Sequence, residues 1–215
     1  MTKLFSEFLG TLLLIFVSCG AIVVNQQTGA LGHVGVALSS GLVVCVLIEI
    51  FGNSSGAHFN PAVTITFAVD KRFPWRQVPS YVLAQCAGAI CGATLLRLMF
   101  PAASGLGESL PSGTWQQSFC LEIILSLLLM LTILAICRDG REKGHAASIC
   151  VGTAVALDAM FAGPVCGASM NPARSLGPAL ISGHTEHLWI YLTAPLAGML
   201  LAVAVHRLIN SKARG

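Results

Sequence analysis

Ser55-Gly-Ala-His-Phe-Asn-Pro-Ala-Val63 and Cys166-Gly-Ala-Ser-Met-Asn-Pro-Ala-Arg174 are two copies of one phrase. Gly56 and Ala57 answer to Gly167 and Ala168, and Asn60-Pro61-Ala62 answers to Asn171-Pro172-Ala173. Each copy runs from small residues through Asn and Pro into apolar residues. That order starts a short helix, with Asn as N-cap and Pro at the first helical position. Both copies lie deep in an apolar chain. A short helix that begins at membrane depth is a way to line a pore.

The chain around them is built for lipid. Its 215 residues are 55% hydrophobic and only 10% charged, with a mean hydropathy of +0.79. Soluble domains carry about 25% charged residues. The composition specifies an integral membrane protein. A net charge of +3 is too small to suggest nucleic acid and reports cytoplasmic loops instead. Lys3 and Glu7 come too early for a cleaved signal peptide, so the first apolar run is expected to stay as a span. The eight cysteines fall mostly inside apolar runs and form no CxxC pair. They are expected to be buried thiols acting as small hydrophobes.

A spanning helix needs about 20 apolar residues. Six stretches qualify, at about 4–24, 33–52, 77–100, 115–137, 146–163 and 187–209. Two short helices are predicted at about 60–69 and 171–182. Orientation follows from the basic residues. Lys3, Lys71, Arg72, Arg76, Arg138, Arg141, Lys143, Arg207, Lys212 and Arg214 fall on one side, ten of the twelve in the chain. The opposite loops, about 25–32 and 101–114, have none. Both termini are therefore expected in the cytoplasm. The other two basic residues are Arg97, near the outer end of the third span, and Arg174.

The chain is also an internal repeat. Residues 1–100 hold three spans with a short helix after the second, and residues 115–210 do the same. Three spans per half is odd, so the second half is inverted relative to the first. The fold class is an all-α membrane protein, a single domain over 1–215 with six spans and two re-entrant half-helices. Glu7 in the first span matches Glu122 in the fourth. Gly88 and Gly92, and Ala194 and Gly198, are small residues four apart that let helices approach closely.

Gly-Ala-His-Phe-Asn-Pro-Ala-Val-Thr (56–64) and Gly-Ala-Ser-Met-Asn-Pro-Ala-Arg-Ser (167–175), 111 residues apart in such a repeat, resemble the aquaporin family. The run from Ala162 to Pro178 is similar to the family's nodulin-like branch, whose members in plants and bacteria pass glycerol and neutral metalloid acids. The resemblance implies a passive channel and a homotetramer with one pore per subunit. It points to a bacterial inner (plasma) membrane. It implies no cofactor, no metal and no enzyme activity, and the sequence has no nucleophile constellation, nucleotide loop or metal-ligand cluster. A water-selective channel with an atypical filter is the nearest alternative. A secondary transporter is a more distant one, since inverted repeats occur there too.

In such a channel the half-helices meet near the midplane, each presenting a positive end worth about half a charge. Asn60 and Asn171 cap those ends, leaving their amide NH2 groups to donate into the lumen. Positive potential there opposes cations and proton relay. The irregular stretches 54–59 and 165–170 are tolerated only along a wet cavity. The carbonyls of Gly56, Ala57, His58, Gly167, Ala168 and Ser169 are expected to form a ladder of acceptors. The His58 side chain is expected to pack or bond the loop. By the same resemblance, Glu7 and Glu122 hold the two loops by hydrogen bonds. The alternative is proton coupling. Arg174 and three further positions form the family's constriction. Counting back from the triplets puts these at Ser40, Ala159 and Ala168. Relatives with a narrow filter carry aromatics or His there. Ser, Ala and Ala opposite one Arg predict a wide, polar opening fit for glycerol, urea and undissociated arsenous, boric or silicic acid.

Three features stay open at this level. For Asp158, beside Ala159, three readings stand: lining the outer vestibule, pairing with a neighbour, or being protonated. Cys166 faces either the pore or away from it. His145, His184 and His187 read as solvated loop residues, with pH gating as the alternative.

Overall fold

The computed structural model describes residues 2–137 and 145–211. Arg138, Arg141, Lys143, Lys212 and Arg214, five of the basic residues that set the expected orientation, lie outside them. Among the described residues six helices are long and apolar enough to cross a membrane. They are α1 (Thr2–Thr28), α2 (Gly32–Ser55), α4 (Val78–Met99), α5 (Trp115–Ile136), α6 (His145–Cys166) and α8 (Leu188–Ser211). Two short helices, α3 (Pro61–Val69) and α7 (Pro172–Ser182), follow α2 and α6. A single 3-10 turn, Trp75–Gln77, leads into α4.

The packing repeats across the two halves. α1 packs most extensively on α4, and α5 on α8. α2 crosses α6 between the halves, while each short helix lies against a long helix of the other half, α3 on α8 and α7 on α4. Glycines set these close crossings. A Cβ at Gly88 would overlap the Phe8 carbonyl of α1, and one at Gly198 the Ile123 carbonyl of α5. Gly41 and Gly152 stand against each other where α2 meets α6. Gly88→Val should therefore force α4 off α1 and cost at least the 1–3 kcal/mol usual for overpacking. The check is the thermal midpoint of the detergent-solubilised protein, which should fall relative to the parent.

Outward faces are apolar as well. Leu42, Val46 and Ile50 on α2, Leu83 and Leu98 on α4, and Leu157 and Phe161 on α6 are exposed. A helix apolar all round belongs in lipid. Cys91, Cys120 and Cys150 are exposed too, so the expectation of buried thiols fails for them. They sit on these outward faces, where lipid supplies the apolar surroundings. Trp115 and Trp189 meet edge to face at 5.4 Å near the same end of the bundle. Such rings mark a membrane interface.

The long helices overrun their expected ends. α2 continues to Ser55 and α6 to Cys166, so the irregular stretches are 56–60 and 167–171. α6 runs through Pro164, although proline takes an N–H from the helix and orphans the carbonyl four residues back. Here that carbonyl, of Met160, accepts instead from His33 Nε2 of α2 at 2.7 Å. A side chain from a neighbouring helix makes the proline tolerable.

Candidate functional site: a cavity between two half-helices

Each half-helix starts as its sequence dictates. Asn60 is extended (φ −151°), and its Oδ1 accepts from Ala62 N at 2.9 Å and Val63 N at 3.5 Å. Asn171 (φ −149°) does the same for Ala173 N at 3.0 Å and Arg174 N at 3.3 Å. Pro61 and Pro172 occupy the first helical positions and need no partner for an N–H. Ala62 and Ala173 are fully buried, leaving no room for a larger side chain.

The two amide groups also cross-link the halves. Asn60 Nδ2 donates to Met170 O, and Asn171 Nδ2 donates to Phe59 O, both at 2.8 Å. The sequence reading pointed the two NH2 groups into the lumen. One proton of each goes instead to the opposite loop, and an amide has only two. One donor per Asn remains for a solute.

The loops before the half-helices share an unusual backbone. Gly56, Ala57 and Phe59 have φ of +96°, +53° and +47°, and Gly167, Ala168 and Met170 have +82°, +42° and +53°. Left-handed conformations cost a non-glycine residue about 1–2 kcal/mol each. They persist because the surroundings fix them. Alternating hands make successive N–H groups converge into an anion nest. A glutamate fills each nest. Glu7 accepts from His58 N at 3.0 Å and Phe59 N at 2.7 Å, and Glu122 accepts from Ser169 N at 2.7 Å and Met170 N at 2.8 Å. Both glutamates are fully buried.

The anchoring is unequal in the two halves. Glu7 also accepts from Ser55 Oγ at 2.6 Å and Gln85 Nε2 at 2.8 Å. In the second half Cys166 stands where Ser55 does, and Tyr191 OH bonds the Cys166 carbonyl as Tyr81 OH bonds that of Ser55. Buried Asp158 lies within electrostatic reach of Glu122. It does not line the cavity, and its Oδ2 meets no hydrogen-bond donor among the described residues. Cys166 is fully buried and lines no lumen either, so its thiol faces away.

With the N–H groups turned to the glutamates, the loops' other side borders a cavity of about 590 Å³. Ala57, His58, Phe59 and Asn60 line it from one loop, and Gly167 to Asn171 from the other. Gly56 does not: it is the left-handed C-cap of α2, its N–H bonded to Gly52 O. Phe59 and Met170 join the wall unforeseen. The His58 ring packs among Phe67, Phe73 and Tyr81, and its Nδ1 lies 3.0 Å from Thr64 Oγ1. Val44, Ile48, Leu129, Ile133 and Val151 add aliphatic surface to its lining.

The model of the major intrinsic protein family matches residues 1–206 of this sequence. The chain belongs to that family. It is 45% identical over 213 residues to Aquaporin NIP1-1 of Oryza sativa subsp. japonica, covering 97% of this chain and 74% of that protein. It is also 45% identical over 218 residues to Aquaporin NIP3-1 of Arabidopsis thaliana, covering 97% and 68%. The X-ray structure of the aquaglyceroporin from Plasmodium falciparum superposes with a TM-score of 0.88 at 27% identity, covering 99% of this chain and 98% of that one. The chain is an aquaporin-family membrane channel of the NIP type.

In this aquaporin, Ser40, Ala159, Ala168 and Arg174 all line the cavity. Gly41 meets Gly152 and Ala156, and His33 meets Met160, so Ser40 lies below Ala159 along the crossing helices. Helical side chains lean toward their own N-terminus, which points these two toward each other in an antiparallel pair. Val36, one turn before Ser40, lines the same cavity and was missed. Its i−4 spacing from Ser40 was the available signal. Arg174 is 8% exposed, and its Nη1 donates to Gly107 O at 2.7 Å and Ser109 Oγ at 3.0 Å. At the mouths His145 and His184 are exposed, as expected of solvated histidines, and each has a carboxylate partner. His184 pairs with Glu108, and His145 Nδ1 lies 3.0 Å from Glu49 Oε2.

Proposed function

We propose that this channel passes small neutral polyhydroxy solutes, namely glycerol, urea and undissociated metalloid acids, along with water. Ser40, Ala159 and Ala168 opposite Arg174 are the filter, wide because three of the four side chains are small. The presence of all four in the lining of one cavity is the observation that carries the reading. The carbonyls of Ala57, His58, Gly167, Ala168 and Ser169 exchange hydrogen bonds with solute hydroxyls, while the aliphatic lining faces the solute's carbon skeleton. Asn60 and Asn171 each contribute one amide proton at the centre. The half-helix N-termini and Arg174 give the lumen a positive potential that repels cations.

Glu7 and Glu122 are loop anchors in this reading. Their oxygens are occupied by loop N–H groups, which counts against a coupled transporter. The single channel domain assembles as a homotetramer in the plasma membrane (the inner membrane, for a bacterial cell), with both termini in the cytoplasm. Lys71, Arg72, Arg76 and Arg207 at the N-terminal face support that orientation.

Uptake of arsenous and boric acid into proteoliposomes tests the proposal. The flux should rise linearly with the gradient and ignore imposed sodium or proton gradients. Saturable uptake driven by either ion would overturn it.

A further inference from the structure

The arginine of the filter is held by a turn, and the turn has its own clamp. Both protein acceptors of the Arg174 guanidinium, Gly107 O and Ser109 Oγ, flank Glu108. Glu108 Oε2 accepts from Leu106 N, closing the turn, and Oε1 pairs with His184 Nδ1. The Glu108 side chain is 6% exposed and that of His184 is 45%. His184 directly follows Gly183, the left-handed C-cap of α7. The half-helix therefore grips one turn from both ends, through Arg174 in its first turn and His184 just past its last.

The turn is fixed on its remaining sides. Gly107 is left-handed (φ +68°), and a Cβ there would come within 2.9 Å of Cys19 Cα and O of α1. Ser175 Oγ donates to Ser109 Oγ at 2.9 Å and lies 2.6 Å from Ser169 Oγ of the pore loop. Glu108 is also the one carboxylate among the described residues that line the cavity. It shares the outer mouth with Gln26 and Leu110.

We propose that Glu108 and His184 are positioning residues for Arg174 and through it determine which solutes pass. A guanidinium carries five donors in a rigid fork. While the turn holds Nη1 against the wall, the opening keeps its width. Without the clamp the turn relaxes, both wall acceptors move away, and the buried cation turns to the lumen carbonyls for partners. It then lies across the opening, and flux falls more for large solutes than for water. The inference rests on the reading of Arg174 as a filter residue.

The test compares glycerol and water permeability of the full-length protein in proteoliposomes. Glu108→Ala should lower the glycerol-to-water ratio about fivefold, the equivalent of one lost hydrogen bond. His184→Ala, at a half-exposed site that tolerates truncation, should lower it less. Glu108→Gln keeps an acceptor for Leu106 N and should restore part of the loss. An unchanged ratio in both alanine variants would overturn the proposal, as would equal losses for water and glycerol. Should Glu108→Ala fail to assemble, His184→Ala and Glu108→Gln decide by the same criterion. Arg174→Ala separates the two readings: a ratio it leaves unmoved refutes Arg174 as a filter residue. A ratio that it shifts, while the clamp variants do not, refutes only the clamp.

Discussion

Glu7→Leu should leave no correctly folded channel. The substitution removes the carboxylate acceptor of four donors around the fully buried Glu7: Ser55 Oγ, His58 N, Phe59 N and Gln85 Nε2. Each buried donor left without an acceptor costs about 1–3 kcal/mol. Four of them approach the whole stability of a typical domain, about 5–15 kcal/mol. The loop they fix also carries two non-glycine left-handed residues whose strain it must restrain. Glu122→Leu strands two backbone donors and should be milder. Monodispersity and thermal midpoint in detergent measure both. Equal stability of the two variants would mean that the hydrogen bonds to Ser55 and Gln85 contribute nothing.

The second large effect concerns the filter. Ser40→Phe combined with Ala159→His should abolish glycerol flux and spare water. Both positions line one cavity, and their side chains lean toward each other. Two rings in place of a hydroxymethyl and a methyl close most of the width opposite Arg174. Neither change touches the Asn caps or the glutamate nests, so folding should hold. Unchanged glycerol flux in correctly inserted protein would remove Ser40 and Ala159 from the filter.

How much of this was legible beforehand differs from residue to residue. The starts of α3 and α7 were plain, because capping is local chemistry: Asn and Pro dictate it within four residues. The spans were plain because lipid demands length and apolarity, and their ends were less so. α6 runs through Pro164 because His33, more than 120 positions away, satisfies the carbonyl that proline orphans. No local pattern announces that. The same holds for the crosswise bonds from Asn60 to Met170 and from Asn171 to Phe59, and for the Glu108–His184 pair. Each depends on two segments meeting in space. For Asp158 the sequence left three options open, and the structure adds burial, with no hydrogen-bond partner for its Oδ2 among the described residues.

The most direct test of the central claim is stopped-flow light scattering on proteoliposomes of the purified protein, with glycerol and water gradients compared. A wide filter of Ser40, Ala159 and Ala168 predicts glycerol entry far above that of protein-free vesicles, alongside water. Fast water with glycerol at the protein-free rate would contradict it, and would mean that another part of the pore sets the width.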